Sequence, residues 1–390
     1  MTQVENNTAG QGEDDTLILD MLDRFLKVEV KPYVHALEKA DEYPAEIVEQ
    51  MKEMGLFGCL IAPEYGGLGL STRTYARMIE RMSAVWMSLS GIVNSHLIMA
   101  MTVQRNGTPD QKAAFLPRFA TGELRGGIGL TEPDCGTDLQ AIRTTATRDG
   151  DHYLVNGAKT WITNSLYGNC LVLLVKTDTT AQPRHRGMSL LIAEKGPGFE
   201  VSRKLEKLGY KGIDTCELNF DNYRVPVDRL IGGEEGRGLK QILSGLELGR
   251  INVAARGLGI AVAALDASVA YSQQRKTFGK PICEHQAIQL KLGEMATRVH
   301  ASRLLVDAAA QAYDRGERCD MEAGMAKYFA TEAGVENSTE AMRIHGAYGY
   351  SKEFDIERLY RDAPLLVIGE GTNELQRIII AKQLIERNPV

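Results

Sequence analysis

At 390 residues the chain is longer than one hydrophobic core usually serves, so two or three domains are expected. Its 44% hydrophobic and 25% charged residues fit a soluble globular protein, and a net charge of -6 argues against the basic stripe of a nucleic-acid binder. No run approaches the roughly 18 apolar residues that span a bilayer. The six cysteines form no CxxC pair and read as free thiols in a reducing compartment. The seven histidines lack HxxxH or HxH spacing, so no metal site is expected.

The polar, acidic residues 1–15 have neither the apolar core of a signal peptide nor the Arg-rich pattern of a transit peptide. They are expected to be a disordered lead, with the cytoplasm as the default location. From Thr16 to about Leu37, apolar side chains at Leu17, Ile18, Met21, Leu22, Phe25 and Leu26 predict an amphipathic helix. A second helix runs from Pro44 to Met54 and stops at Gly55. The glycine-rich segment 58–70 predicts a loop, and residues 71–105 a helix pair broken near 85–90. Pro109 opens another helix, which completes an all-helical region to residue 125.

Short β-type runs follow at 127–130, 142–147, 152–155, 160–163, 170–176, 188–193, 199–204 and 215–220. Asp149-Gly150-Asp151 and Asn156-Gly157 read as tight turns between them, the latter as a hairpin. Many short strands without intervening helices predict a small antiparallel barrel or sandwich over 126–236. Beyond it the texture is helical, with long candidates at 239–275, 286–315, 321–345 and 373–387 that suggest a bundle over 237–390. No GxGxxG opens a helix after a strand and no GxxxxGK[ST] is present, which disfavours a nicotinamide Rossmann domain and a P-loop.

Several stretches carry chemistry. Leu365 to Ile368 delivers Glu370 between Gly369 and Gly371, with Thr372 and Asn373 placed to cap the next helix. A carboxylate on such a loop suits a general base whose pKa is raised in a dry pocket, or is simply a solvated Glu beside a cap. Thr131, Gly136 and Thr137 sit on a turn whose donors could hold a ring edge or a phosphate. Trp161 and Thr163 pair an aromatic wall with a hydroxyl, unless Trp161 is core. Arg275-Lys-Thr-Phe-Gly-Lys280 is a solvated turn or a guanidinium for a pyrophosphate. Arg250, with Glu247 one turn before it, is a surface charge or a ligand contact.

Taken in order, Gly129–Asp138, Lys159–Asn164, Glu247–Arg250, Arg275–Lys280, His345–Tyr350 and Glu370–Thr372 resemble the acyl-CoA dehydrogenase family from about Thr16 to Glu386. The resemblance implies an α+β fold of N-terminal helical domain, central β domain and C-terminal four-helix bundle. It also implies bound FAD, an acyl-CoA substrate oxidised between its α and β carbons, and electron-transferring flavoprotein as the acceptor. A homotetramer built as a dimer of dimers would be the assembly. Thr131, Trp161 and Thr163 would line the flavin, with Ile128, Leu130, Gly136, Thr137, His285, Thr372 and Glu374 among the cofactor contacts. Arg275, Phe278, Arg343, Gly346 and Ala347 would also serve the cofactor, the Arg275–Phe278 and Gly346–Gly349 loops reaching it in a neighbouring subunit. Thr137, Glu247, Arg250, Asn94, Gly369 and Gly371 would contact substrate.

The family places its base either at the Glu of the E-G-T motif or one residue before the Arg matching Arg250. Here that residue is Gly249, so the resemblance assigns the base to Glu370. Cys135, Arg343, Ala347 and Gly369 depart from the family's usual residues, and Gly369 should widen the pocket. In the helix at 86–99, Ser88 stands where glutaryl-CoA dehydrogenases carry a carboxylate-binding Arg, with no local cation to replace it. Ser88, Ser90, Asn94 and His96 either make the pocket polar or face away. A short, branched, cyclic or polar acyl group is expected, and a dicarboxylyl group disfavoured. A carrier-protein-bound acyl substrate and a flavin-free acyl-CoA-binding scaffold are the alternatives.

Overall fold

A computed structural model describes residues 5–390, the side chains of 5–14 and of Ser244 apart. Helix α1 (Glu5–Phe25) passes through one π-helical turn, Leu26–Val30, into α2 (Lys31–Ala40). The expected disordered lead is therefore helical from Glu5 onward; residues 1–4 lie outside the described residues. Leu22, Phe25, Leu26 and Val30 are buried as their spacing requires, while Leu17 and Met21 stay exposed. After α3 (Ala45–Glu53) the chain turns at Gly55, where φ is +72°. Helix α4 (Thr72–Asn106) is kinked at Trp86, inside the predicted break, and α5 (Pro109–Ala120) starts on a capping box between Thr108 and Gln111.

The β domain contains β1 (Gly126–Gly129), β2 (Thr145–Asp149), β3 (His152–Thr163), β4 (Cys170–Lys176), β5 (Met188–Glu194), β6 (Phe199–Lys204) and β7 (Thr215–Pro226). They form one sheet in the order β1-β4-β2-β3-β7-β6, with β5 on β4. It is mixed rather than antiparallel, because β4 pairs in parallel with both β1 and β2. Asn156-Gly157 is not a hairpin but a bulge within β3, where the register against β7 shifts. Gly157 has φ +144°, and a Cβ there would come 2.6 Å from Thr144 Oγ1. The Asn156 side chain accepts from Asn222 N at 2.9 Å, replacing a ladder bond that the bulge removes.

Helices α6 (Gly238–Gln274), α7 (Gln286–Asp314), α8 (Asp320–His345), α9 (Ile356–Ile368) and α10 (Asn373–Arg387) make the C-terminal domain. The predicted apolar strip before Glu370 is the end of α9, a helix that carries Pro364 in its interior. Two strands, β8 (Lys276–Thr277) and β9 (Lys280–Pro281), turn the predicted basic loop into a hairpin between α6 and α7. The small residues of α6 bring its neighbours close. A Cβ at Gly257 would sit 2.6 Å from the Ala330 carbonyl of α8, and one at Gly259 would collide with the Glu80 carbonyl of α4. Helices α4 and α6 are long and apolar enough to cross a membrane by composition, yet 83% and 61% of their apolar windows are buried within the fold. They are the shared core of two domains.

Candidate active site

Helix α9 ends at Ile368 and α10 begins at Asn373, capped by Thr372, whose hydroxyl accepts from Leu375 N at 3.3 Å. Between them Glu370 takes a left-handed conformation at φ +55°. For a residue with a Cβ that costs about 1–3 kcal/mol and persists only where the surroundings impose it. The imposing group is Lys327, fully buried on α8, whose ammonium donates to Gly371 O at 2.9 Å and Asn373 Oδ1 at 2.7 Å. Asn373 is in turn fixed by Thr331 Oγ1 at 3.0 Å and Glu332 Oε1 at 2.8 Å. Burial pushes the Lys327 pKa down to about 8, against the pull of Glu370.

The Glu370 side chain points between α4 and α6, and only 19% of it is exposed. Its Oε1 accepts from Asn94 Nδ2 at 2.7 Å and from Arg256 Nη2 at 3.2 Å, while Oε2 is buried with no partner among the described residues. Burial raises the carboxyl's pKa above its ordinary value, and Arg256, Asn94, Lys327 and Arg250 offset part of that rise. A Cβ at Gly249 would collide with Oε2. The glycine at the alternative base position is thus the space that the Glu370 carboxylate occupies.

Three of the four polar residues on the predicted specificity helix face away. Ser88 donates to Lys211 O at 2.6 Å, Ser90 to Met87 O at 2.6 Å, and His96 meets Phe119 O at 3.0 Å between two phenyl edges. Only Asn94 reaches the base. Arg256, Lys327, Asn252 and Tyr210 were not singled out from sequence. A charged residue inside a run of small ones, Val253-Ala-Ala-Arg-Gly257 and Gly324-Met-Ala-Lys327, is the signal that could have found the first two, since such runs pack closely.

In the β domain a buried ion pair joins two of the motifs. Lys159 Nζ donates to Glu132 Oε1 at 2.8 Å and to Leu130 O at 3.1 Å, and Glu132 also accepts from the amides of Arg143 and Thr144. Thr160 N donates to Thr131 O at 3.0 Å, which sets Thr131 beside Trp161. Cys135 pairs its backbone with Glu132 and buries its thiol. Asn164 ties the end of β3 to α4 by donating to Ile92 O at 2.8 Å, and to β1 through Gly126 O at 3.0 Å. Thr163, whose carbonyl lies against Gly127 of β1 beside Ser95, is therefore next to the turn of α4 that carries Asn94. Trp161 is not core: it sits in an irregular stretch of β3 at φ +61° and is 59% exposed. A large indole held out in a costly conformation fits a planar ring laid against it, as a flavin requires. Gly136 and Thr137 are exposed on the adjoining turn.

Glu247 and Arg250 of α6 both face Asp320 at the start of α8. Arg250 Nη1 lies 3.9 Å from Asp320 Oδ1, and its buried Nε has no hydrogen-bond partner among the described residues. Burial and the neighbouring Asp320 carboxylate push the Glu247 carboxyl upward. The remaining predicted contacts point outward. Phe278 is 96% exposed at the tip of the β8–β9 hairpin with φ +51°, and Arg275 beside it is exposed. His285 is bound to that hairpin through Thr277 Oγ1 at 3.1 Å. Arg343 pairs with Glu340 at 2.6 Å, Gly346 and Ala347 are exposed after α8, and Glu374 is exposed in the first turn of α10.

The C-terminal, N-terminal and middle domains of acyl-CoA dehydrogenase match residues 236–385, 12–123 and 127–223. An acyl-CoA dehydrogenase of Bacillus subtilis is 40% identical over 96% of this chain and 98% of its own length. The (2S)-methylsuccinyl-CoA dehydrogenase of Cereibacter sphaeroides is 38% identical over 97% of this chain and 71% of its own. A chain in a structure described as the electron transferring flavoprotein of Acidaminococcus fermentans superposes with a TM-score of 0.93 at 37% identity, covering 96% of this chain and 98% of that one. The chain belongs to the acyl-CoA dehydrogenase family, an FAD-dependent oxidoreductase acting on acyl-CoA.

Proposed function

We propose that this protein oxidises a short acyl-CoA thioester between its α and β carbons, with Glu370 taking the α-proton and electron-transferring flavoprotein receiving the electrons. The observation that carries the reading is the carboxylate itself. It is raised in pKa, shut from water on one oxygen, and seated in the space that Gly249 leaves. An unpaired Oε2 at that point is a base ready for a proton. Thr131, Trp161 and Thr163 would hold the flavin ring, Glu247 and Arg250 the CoA arm, and Arg275 and Phe278 the cofactor of a neighbouring copy in a tetramer. Bound FAD supplies the hydride acceptor for the β-hydrogen.

The chain's part in the reaction is orientation, exclusion of water and proton removal. Lys327 fixes the loop so that the α-proton meets Oε2, and α4 and α6 keep water from the carboxylate. A short acyl group is supported by Tyr210, whose hydroxyl packs so tightly on Gly91 of α4 that a Cβ there would overlap it. The same hydroxyl accepts from Arg256 Nη1 at 3.4 Å, so it is held beside the cation that pairs with the base. The (2S)-methylsuccinyl-CoA dehydrogenase and the electron-transferring-flavoprotein structure among the relatives agree with a small polar substrate and that acceptor. The test is anaerobic mixing of the FAD-loaded protein with acyl-CoAs. Glu370→Gln should keep its FAD and lose flavin bleaching by about 10⁴-fold; bleaching near the wild-type rate would remove Glu370 from the role.

A further inference from the structure

Arg256 is a cation without a permanent counter-charge. Its side chain is 6% exposed, and among the described residues its acidic partner is the base, Glu370. Its other contacts are neutral: Nε donates to Asn252 Oδ1 at 2.8 Å, and Nη1 to the Tyr210 hydroxyl at 3.4 Å. Asn252 is itself fixed by donating to the Tyr75 hydroxyl at 2.7 Å. The guanidinium is therefore held in one place before any ligand arrives. Once Glu370 has taken a proton it is neutral, and a neutral acyl chain would leave the guanidinium buried and unpaired at that moment. A carboxylate on the substrate removes the problem. It pairs with the guanidinium, competes for the donor that holds Oε1, and leaves Glu370 a freer base.

Resting on the dehydrogenase reading above, we propose that Arg256, with Asn94 beside it, is the anchor for a carboxylate on the acyl group, and that the substrate is a short dicarboxylyl-CoA. Because Nη2 is 3.2 Å from the base's own oxygen, the carboxylate belongs one or two bonds past the β-carbon. This reverses the expectation drawn from Ser88. Ser88 is committed to Lys211 O, and the cation comes instead from α6.

The experiment compares matched pairs in which a terminal carboxylate replaces a methyl: succinyl- against butyryl-CoA, 2-methylsuccinyl- against 2-methylbutyryl-CoA, and glutaryl- against valeryl-CoA. Anaerobic flavin bleaching by the FAD-loaded wild type should favour the carboxylate member of at least one pair by about 10²-fold or more in kcat/KM. Arg256→Gln should lower the carboxylate member at least about tenfold more than its mate, and Arg256→Lys should recover part of the preference. If the variants do not fold, the wild-type ratios alone decide. Equal or faster reaction of all the neutral members, or an equal loss for both members in Arg256→Gln, overturns the anchor and leaves the dehydrogenase reading standing. If no acyl-CoA bleaches the bound flavin, the dehydrogenase reading fails and the anchor with it.

Discussion

Two regions of this chain treat their polar and aromatic side chains in opposite ways. Around Glu370 every functional group is closed in by the chain itself: Lys327 and Asn373 hold the loop, Asn94 and Arg256 hold the carboxylate, and Gly249 makes room for it. Around the β8–β9 hairpin the chain does the reverse, and Phe278 stands almost wholly in solvent in a conformation that disfavours a side chain. Buried groups are held in place by packing and hydrogen bonds within one chain. Within its own chain that exposed phenyl ring makes one edge contact, with His285 at 6.0 Å between centroids, which leaves most of its surface open to a partner molecule.

The closed region should break hard. Lys159→Met leaves Glu132 buried, with the Arg143 and Thr144 amides but no cation, and should cost about 3–5 kcal/mol of stability. Denaturant unfolding with FAD content read in parallel checks this. FAD should be lost too, because the pair positions the turn that carries Thr131. Gly249→Ala is sharper because it touches a single contact. Its Cβ displaces the Glu370 carboxylate, and a shift of about an ångström should lower turnover about 10²-fold. The protein should still fold and hold FAD, which absorbance and bleaching kinetics on one sample would distinguish.

A smaller change tunes the base without moving the loop. Asn94 donates to the ionised Oε1, so it favours the charged form. Asn94→Ala should therefore raise the Glu370 pKa further, and the acid limb of the kcat/KM profile should move to higher pH by about one unit. The stability linkage has the same sign. A carboxyl raised above its unfolded value contributes most below that value, and the contribution is lost as pH rises through the folded pKa. In Asn94→Ala that window should extend upward. An acid limb that stays still or moves down would mean the hydrogen bond does not bear on the base.

Much of this was legible in the chain because its signals were local. The α4 break at Trp86, the bounds of β4, β6 and α10, and the Thr372 cap all followed from spacing and capping chemistry. Asn156-Gly157 misled for the same reason. Its turn propensity is local, but pairing with β7 on both sides keeps β3 running and converts the turn into a bulge. The β1–β4 and β2–β4 parallel contacts join strands far apart in sequence, so no local pattern announced them. Arg256 was illegible alone because its partner Glu370 lies 114 residues away. Its helix face is set by the approach of α4 and the α9–α10 loop, which only the assembled fold supplies.

The open region supplies the mildest test and the one that bears most directly on the contrast. Phe278 is 96% exposed and touches its own chain mainly through the edge of His285, so Phe278→Ala should leave the unfolding free energy of an isolated chain within about 0.5 kcal/mol of wild type. Its effect should appear only between chains. Truncating an aromatic that anchors an interface costs about 1–2 kcal/mol, so FAD should dissociate roughly tenfold more readily on dilution. Sedimentation should show a lighter average assembly at the same concentration. Unchanged FAD retention and unchanged assembly would mean that the hairpin serves neither cofactor nor partner, and its strained, exposed ring would then have no counterpart to the closed economy around Glu370.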